Sequence, residues 1–377
     1  MHKRHLLILF VVLFAALLIT PLPSYADSDK GSDSGKGRGI IVKRDAAEQF
    51  IVLPRGVAHP EGITANPHNG DLFVGTFDFS ANNQLLRFDR RGRLLASKSF
   101  GGTPLLGLEF NPRDGNIYIC NFGLSRIQRI RGDFTASTTV EDVATIPLIG
   151  ALAPRIVSNP PDGSSSDTII FNASFAAPNA LAFNSVGDLF VSDSFQGAIF
   201  KVDHTKIAQA GSCLTLCNAT LVTQDPLLTT VGFPPFGANG LAFSADGATL
   251  FIANTGDDRV LQMNVSSKSI SPFAESINGA DGMTFDRFGR LWVCANQADE
   301  IVALSATGRV IAKLGDFLGI NKDLTPRGLL FPASNVIVGD EMFVTNLAIA
   351  LTGGDEPEAD VMLWTISRIH LPGPDEH

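Results

Sequence analysis

Basic charge is scarce in this 377-residue chain: 29 Lys and Arg stand against 38 Asp and Glu, a formal net charge of −9. With no positive excess to neutralise phosphates, the composition argues against a general nucleic-acid binder. Tyrosine and tryptophan number only two each, whereas phenylalanine reaches 27 and glycine 36. Cysteine is limited to four residues. Cys120 and Cys294 end the apolar runs "IYIC" and "LWVC" and read as buried thiols. Cys213 and Cys217, in "CLTLC", would form a small loop-closing disulfide if the chain is exported, and no histidines accompany them to suggest zinc. Familiar catalytic signatures are absent too: there is no Gly-x-Ser-x-Gly elbow, no His-Glu-x-x-His and no Walker loop.

Long apolar runs are missing, with one exception. The basic start His2-Lys3-Arg4-His5 leads into an apolar stretch from Leu6 to Ile19, broken by Pro21 and Pro23 and followed by Ser24-Tyr25-Ala26. The run is shorter than the ~20 residues of a spanning helix. Small residues stand where a signal peptidase reads. The expectation is a signal peptide over 1–26, cut after Ala26, giving a secreted or periplasmic protein with no membrane attachment after cleavage. The Gly/Ser-rich segment "DSDKGSDSGKGRG" that follows reads as a tether, so 27–43 is expected to be a flexible linker. The whole chain is 45% hydrophobic and 18% charged, which fits a globular protein with a substantial core, and the folded domain is expected over 44–377.

What is there is a repeat. Six copies of one hairpin pattern begin at Glu61, Leu106, Asn179, Asn239, Asp281 and Arg327, the last stretched: "RGLLFPASNVIVGDEMFVTN". Each is an apolar strand, a Gly/Asp/Asn turn and a second apolar strand. A third strand follows every pair, and fourth strands such as "LLASKSF" follow several. The starts are separated by 45, 73, 60, 42 and 46 residues, so the two long intervals carry insertions. A spare strand, "EQFIVLP" from Glu48, precedes the first copy, and the last copy lacks a fourth. The predicted fold is all-β: a six-bladed β-propeller closed by an N-terminal strand in the last blade.

The residue opening each copy occupies an equivalent slot on the innermost strand, so the six slots should converge on the central channel. They hold Glu61, Leu106, Asn179, Asn239, Asp281 and Arg327. Turn chemistry accounts for Asn239 and Asp281, each followed by Gly, but not for Glu61 or Asn179. Two converging carboxylates repel, and a cation resolves the repulsion. The donors are all oxygen, with no Cys or His, which favours a hard ion, calcium before magnesium. The expectation is one divalent ion in the channel, held by Glu61, Asn179, Asn239 and Asp281.

This pattern resembles the senescence-marker-protein/gluconolactonase family, and relatives such as diisopropyl fluorophosphatase and the paraoxonases. The Glu–Asn–Asn–Asp order on the first, third, fourth and fifth blades is similar to theirs, over about Glu48 to Leu371. The resemblance implies a calcium-dependent lactonase or esterase acting on a small molecule, with Asp281 as catalytic base or nucleophile. Two departures stand out. Leu106 brings no polar group, and Arg327 brings a cation, either paired with a nearby acid or clamping an anionic substrate group. His59, two residues before Glu61, reads as structural.

The second strands end on the same face as the slots, at Thr76, Asn121, Asp193, Asn254, Ala295 with Asn296, and Asn346. Together with Arg327, residues Asn121, Asp193, Asn254, Asn296 and Asn346 are the candidates for substrate binding; strand-end turn chemistry is the competing account of each. Phe175, Phe233 and Phe236 could wall the entrance, in which case the mouth suits something less polar than a free sugar acid. Two other functions remain open on these residues: a non-catalytic binding propeller in which the metal only ties blades together, and phosphotriester hydrolysis.

Overall fold

The computed structural model describes residues 39–79, 82–158, 163–171, 173–209 and 217–373. The signal segment, most of the tether and Cys213 of the suggested disulfide lie outside the described residues. Among the described residues no helix is long and apolar enough to cross a membrane.

Six antiparallel sheets are built from consecutive strands, as the repeat requires. Their innermost strands are Pro60–Ala65, Leu105–Asn111, Pro178–Phe183, Ala238–Phe243, Ala280–Phe285 and Pro332–Val338, numbered here blades 1 to 6. Ala47–Val52 pairs antiparallel with Thr365–His370 and supplies the outer strand of blade 6, so the ring closes as the spare N-terminal strand predicted. One boundary moves. Ile41–Lys43, placed in the linker by sequence, is a short strand parallel to Val310–Leu314 at the outer edge of blade 5. Its alternation is too short to read from sequence, and only the neighbouring blade's open edge gives it a partner.

The two long intervals hold the expected insertions. One contains the hairpin Arg155–Ser158/Ser166–Ile169, and the other the short helix His204–Ala208. A further hairpin, Phe317–Ile320 with Pro326–Gly328, stands ahead of blade 6 and accounts for the stretched last copy. Apolar side chains fill the spaces between sheets; Trp292, Tyr118 and Phe200 are among the largest wholly buried.

Glycine follows the slot in four blades, at Gly62, Gly107, Gly240 and Gly282. Turn formation is not the reason, because each lies within its innermost strand. A Cβ at Gly62 would stand 2.3 Å from the Leu106 carbonyl oxygen, at Gly107 2.5 Å from that of Asn179, and at Gly240 2.3 Å from that of Asp281. Adjacent blades touch backbone to backbone here, and only glycine permits it. Gly240→Ala is therefore expected to cost about 1–3 kcal/mol as an overpacking change. Gly102→Ala, with nothing within 4 Å of its added Cβ, should be close to neutral. Thermal melts of the two variants check this, and an unchanged melting temperature for Gly240→Ala refutes it.

Candidate functional site: an oxygen-lined cavity at the channel mouth

Every innermost strand carries a register shift at the same place. Pro60 pairs with Thr76 and Ile63 with Val74, so Glu61 and Gly62 together face one residue of the second strand. The same shift falls between Leu105 and Leu108, Pro178 and Leu181, Ala238 and Leu241, Ala280 and Met283, and Pro332 and Asn335. These are β-bulges, which bend a strand and re-aim a side chain. In each blade the bulge begins at the slot residue.

The register corrects the sixth slot. Its occupant is Ala333, which is buried and follows Pro332 as Glu61 follows Pro60. Arg327 lies in the hairpin ahead of the blade, exposed, with its Nε donating to the Leu318 carbonyl 3.0 Å away. It neither pairs with an acid there nor reaches the channel. In the sequence the arginine-glycine pair of "RGLL" resembles the slot-glycine pair of the other copies, but Gly328, at φ 83°, belongs to the hairpin.

Glu61, Asn179, Asn239 and Asp281 line one cavity. All four are buried, none more than 5% exposed. On blades 3 to 5 the slot side chain is held by the residue just beyond the second strand of its own blade. Asn179 Nδ2 donates to Ser194 Oγ at 2.8 Å, Asn239 Nδ2 to Thr255 Oγ1 at 2.9 Å, and Asn296 Nδ2 to Asp281 Oδ2 at 2.9 Å. Ser194 and Thr255 in turn donate to the carbonyls of Ala238 and Ala280 on the next blade, both at 2.7 Å. With its single proton committed, each hydroxyl can only accept from the asparagine, so the amide nitrogen must face it. The amide oxygen is thereby turned the other way.

Three acceptor oxygens in this cavity are buried and have no hydrogen-bond partner: Glu61 Oε2, Asn179 Oδ1 and Asp281 Oδ1. Buried polar atoms are almost always paired, and unsatisfied ones ask for an explanation such as an ion. Three orphaned acceptors from three blades, none a donor, fit a cation. The electrostatics agree. Burial, and then the charge of Asp281, raise the Glu61 carboxyl well above its usual range. Burial pushes Asp281 up to about 7, against the hydrogen bond from Asn296 that favours its charged form. Two buried carboxylates this close need a proton or a positive ion between them.

Most of the strand-end residues do other work. Asp193 accepts from the backbone N–H groups of Ala177, Phe195 and Gln196 and from the Gln196 side chain. Asn254 donates to the carbonyls of Leu227 and Thr229, and Asn121 to Gln128 Oε1. Asn346 donates to Thr365 and Ser367 and accepts from the Leu330 N–H. All four are buried and bonded to the entry of their blade or to its third strand, and none lines the cavity. Asn296 alone of the set reaches it. His59 does not line the cavity: its Nδ1 lies 3.1 Å from the Leu347 carbonyl and its ring packs edge-on against Trp364. Phe236 lines the cavity and Phe233 an adjoining lobe, whereas Phe175 packs on Phe122 and Phe195 behind them. Ser194 and Thr255 were missed in the sequence. Their signal was present, a hydroxyl residue directly after the second-strand end in the two blades whose slots hold asparagine.

Fold and cavity together define a six-bladed propeller whose channel mouth gathers acidic and amide oxygens. A model of the SMP-30/gluconolactonase/LRE-like region matches residues 219–315, a segment that includes Asn239 and Asp281, and the resemblance read from the slots holds there. No curated protein matches the chain by sequence. Solved structures match by fold. A luciferin-regenerating enzyme is 14% identical with a TM-score of 0.59, over 85% of this chain and 93% of its own. Regucalcin of Agrobacterium tumefaciens, a calcium-binding protein, is 13% identical with a TM-score of 0.54, over 88% and 95%. Virginiamycin B lyase of Staphylococcus aureus is 14% identical with a TM-score of 0.51, over 86% and 99%.

Proposed function

We propose that this protein is an exported, calcium-dependent hydrolase of lactones or related carboxylic esters. The observation that carries the reading is the trio of unpaired buried acceptors, Glu61 Oε2, Asn179 Oδ1 and Asp281 Oδ1, in one cavity. With Asn239 they make an all-oxygen set containing two carboxylates, which balances a divalent charge and suits calcium. When bound, the ion supplies Lewis-acid polarisation of an ester carbonyl. The gluconolactonase-like match over residues 219–315 and the calcium-binding regucalcin neighbour support the same reading.

The chain's own side chains do the rest. Asp281 has one oxygen engaged by Asn296 and the other free toward the cavity, so its carboxylate is held in one orientation. From there it takes a proton from an attacking water, or attacks the carbonyl carbon itself. Asn296 is then a positioning residue rather than a substrate ligand. The apolar wall, including Phe77, Phe236 and Leu347, keeps bulk water from the carboxylate. Export rests on the signal-like residues at the N-terminus.

Purified protein is expected to carry about one calcium per chain, and chelation is expected to lower its melting temperature. Calcium at a hundredfold its dissociation constant stabilises by about 2.7 kcal/mol. Elemental analysis and thermal melts with and without chelator test this together. Absence of any divalent metal, with no shift on adding calcium, would remove the cation site and the hydrolase reading with it.

A further inference from the structure

The cavity is divided by sector. Polar groups come from blades 3 to 5 and Glu61. The rest of the wall is apolar and comes from blades 6, 1 and 2 and from the loop ahead of blade 4, where Pro234 and Phe236 lie. The division follows the register. The position just past the second strand holds Ser194, Thr255 and Asn296 on blades 3 to 5, but Phe77, Phe122 and Leu347 on blades 1, 2 and 6. The slots agree, since blades 2 and 6 carry Leu106 and Ala333 there.

Free hydrogen-bond donors are few in the cavity and confined to one side of it. The side-chain amides of Asn179, Asn239 and Asn296 each commit one N–H within the protein, and the Thr255 hydroxyl commits its only proton. The oxygens left open are acceptors, and they face the cation position. Against the apolar wall of blades 6, 1 and 2, a polyhydroxylated substrate would lose water from its hydroxyls with no polar side chain there to replace it. Among the described residues no Lys, Arg or His lines the cavity or its adjoining lobe, which instead holds Asp299, Glu356 and Glu358. Away from the cation position, an anionic group would meet only like charge.

Resting on the hydrolase reading, we infer that the substrate is an uncharged lactone or ester with an alkyl or aryl body, not a sugar lactone. Its carbonyl faces blades 3 to 5. Its apolar body lies against blades 6, 1 and 2 and under Phe236.

The test separates substrate class from catalysis. δ-Valerolactam carrying alkyl tails of increasing length resists hydrolysis and reports binding alone, by calorimetry on the calcium-loaded full chain. Its affinity is expected to rise about three- to fourfold for each added methylene, the usual gain for burying one. In parallel, turnover of δ-lactones with the same tails is compared with that of glucono-δ-lactone, and the tailed lactones should be favoured at least tenfold in kcat/KM. Tail-dependent lactam binding without any lactone turnover upholds the substrate class and rejects the hydrolase reading. Preferred turnover of glucono-δ-lactone, with lactam affinity independent of tail length, overturns the substrate class and leaves the hydrolase reading standing. Neither turnover nor binding overturns both. Phe236→Ser should flatten the dependence on tail length. Because Phe236 also packs against Phe195, Leu351→Ser on the partly exposed loop between the second and third strands of blade 6 is the second probe. A full tail dependence in folded Leu351→Ser contradicts the placement of the body against blade 6.

Discussion

Asp281→Asn is expected to lower turnover of the best lactone or ester by about 10²-fold or more at saturating calcium, the usual scale for loss of a general base. The substitution conserves shape and removes charge and basicity. It also has a predictable orientation. Asn296 Nδ2 points at Asp281 Oδ2 from 2.9 Å, so the new carboxamide keeps its oxygen there and turns its NH₂ into the cavity where Oδ1 stood. A donor then faces the cation position, and calcium should bind more weakly. The comparison is therefore made with occupancy restored by excess calcium and measured directly. Asn239→Asp is the matched control: it adds charge beside the same cavity and leaves the proposed base in place. If the ion only ties blades together, Asp281→Asn shows weaker calcium binding and lower thermal stability but binds a rim ligand as before. If it hydrolyses substrate as fast as the parent with calcium bound, Asp281 is not the catalytic group.

Removal of the closing strand is expected to abolish the folded state. Truncation through Pro54 takes away Ala47, Ile51 and Leu53, which are 7%, 3% and 2% exposed, and leaves Thr365–His370 as an open edge. Burial of Ile51 and Leu53 contributes about 1.5–3 kcal/mol each, and the lost ladder adds to that. The total is a large part of the ~5–15 kcal/mol by which a domain is stable. The exposed edge is also a template for aggregation. A chain beginning at Gly39 keeps both N-terminal strands and should melt at the parent's temperature. A chain beginning at Arg44 loses only the Ile41–Lys43 strand on blade 5, and should fall between the two. Circular dichroism melts of the three chains decide it; equal stability of the first and second would mean that the ring does not depend on its N-terminal closure.

The periodic parts of this protein were legible from residue order alone. A strand alternates with period two and a hairpin turn needs Gly, Asp or Asn, so six copies at intervals of 42 to 73 residues announced six sheets. The unpaired "EQFIVLP" and the missing last strand announced the closure. Glu61, Asn179, Asn239 and Asp281 could be aligned because each sits at the same step of a local pattern. Tertiary structure decided what depends on a partner far along the chain. The sixth slot passed from Arg327 to Ala333 because strand register is set by pairing with Glu341–Asn346, and an inserted hairpin hid it. The glycine after the slot looked like a turn residue, whereas its reason is a carbonyl on the next blade. Asn121, Asp193, Asn254 and Asn346 looked as available to a ligand as Asn179, since the same side chains serve turns and sites. What separates them is where the protons go. The first four spend their polar groups on blade ties, while Ser194 directs the Asn179 amide so that its oxygen is left without a partner in the channel. Hydrogen-bond satisfaction is a property of the assembled ring, because the donors and acceptors that complete each group lie on other strands and often on other blades.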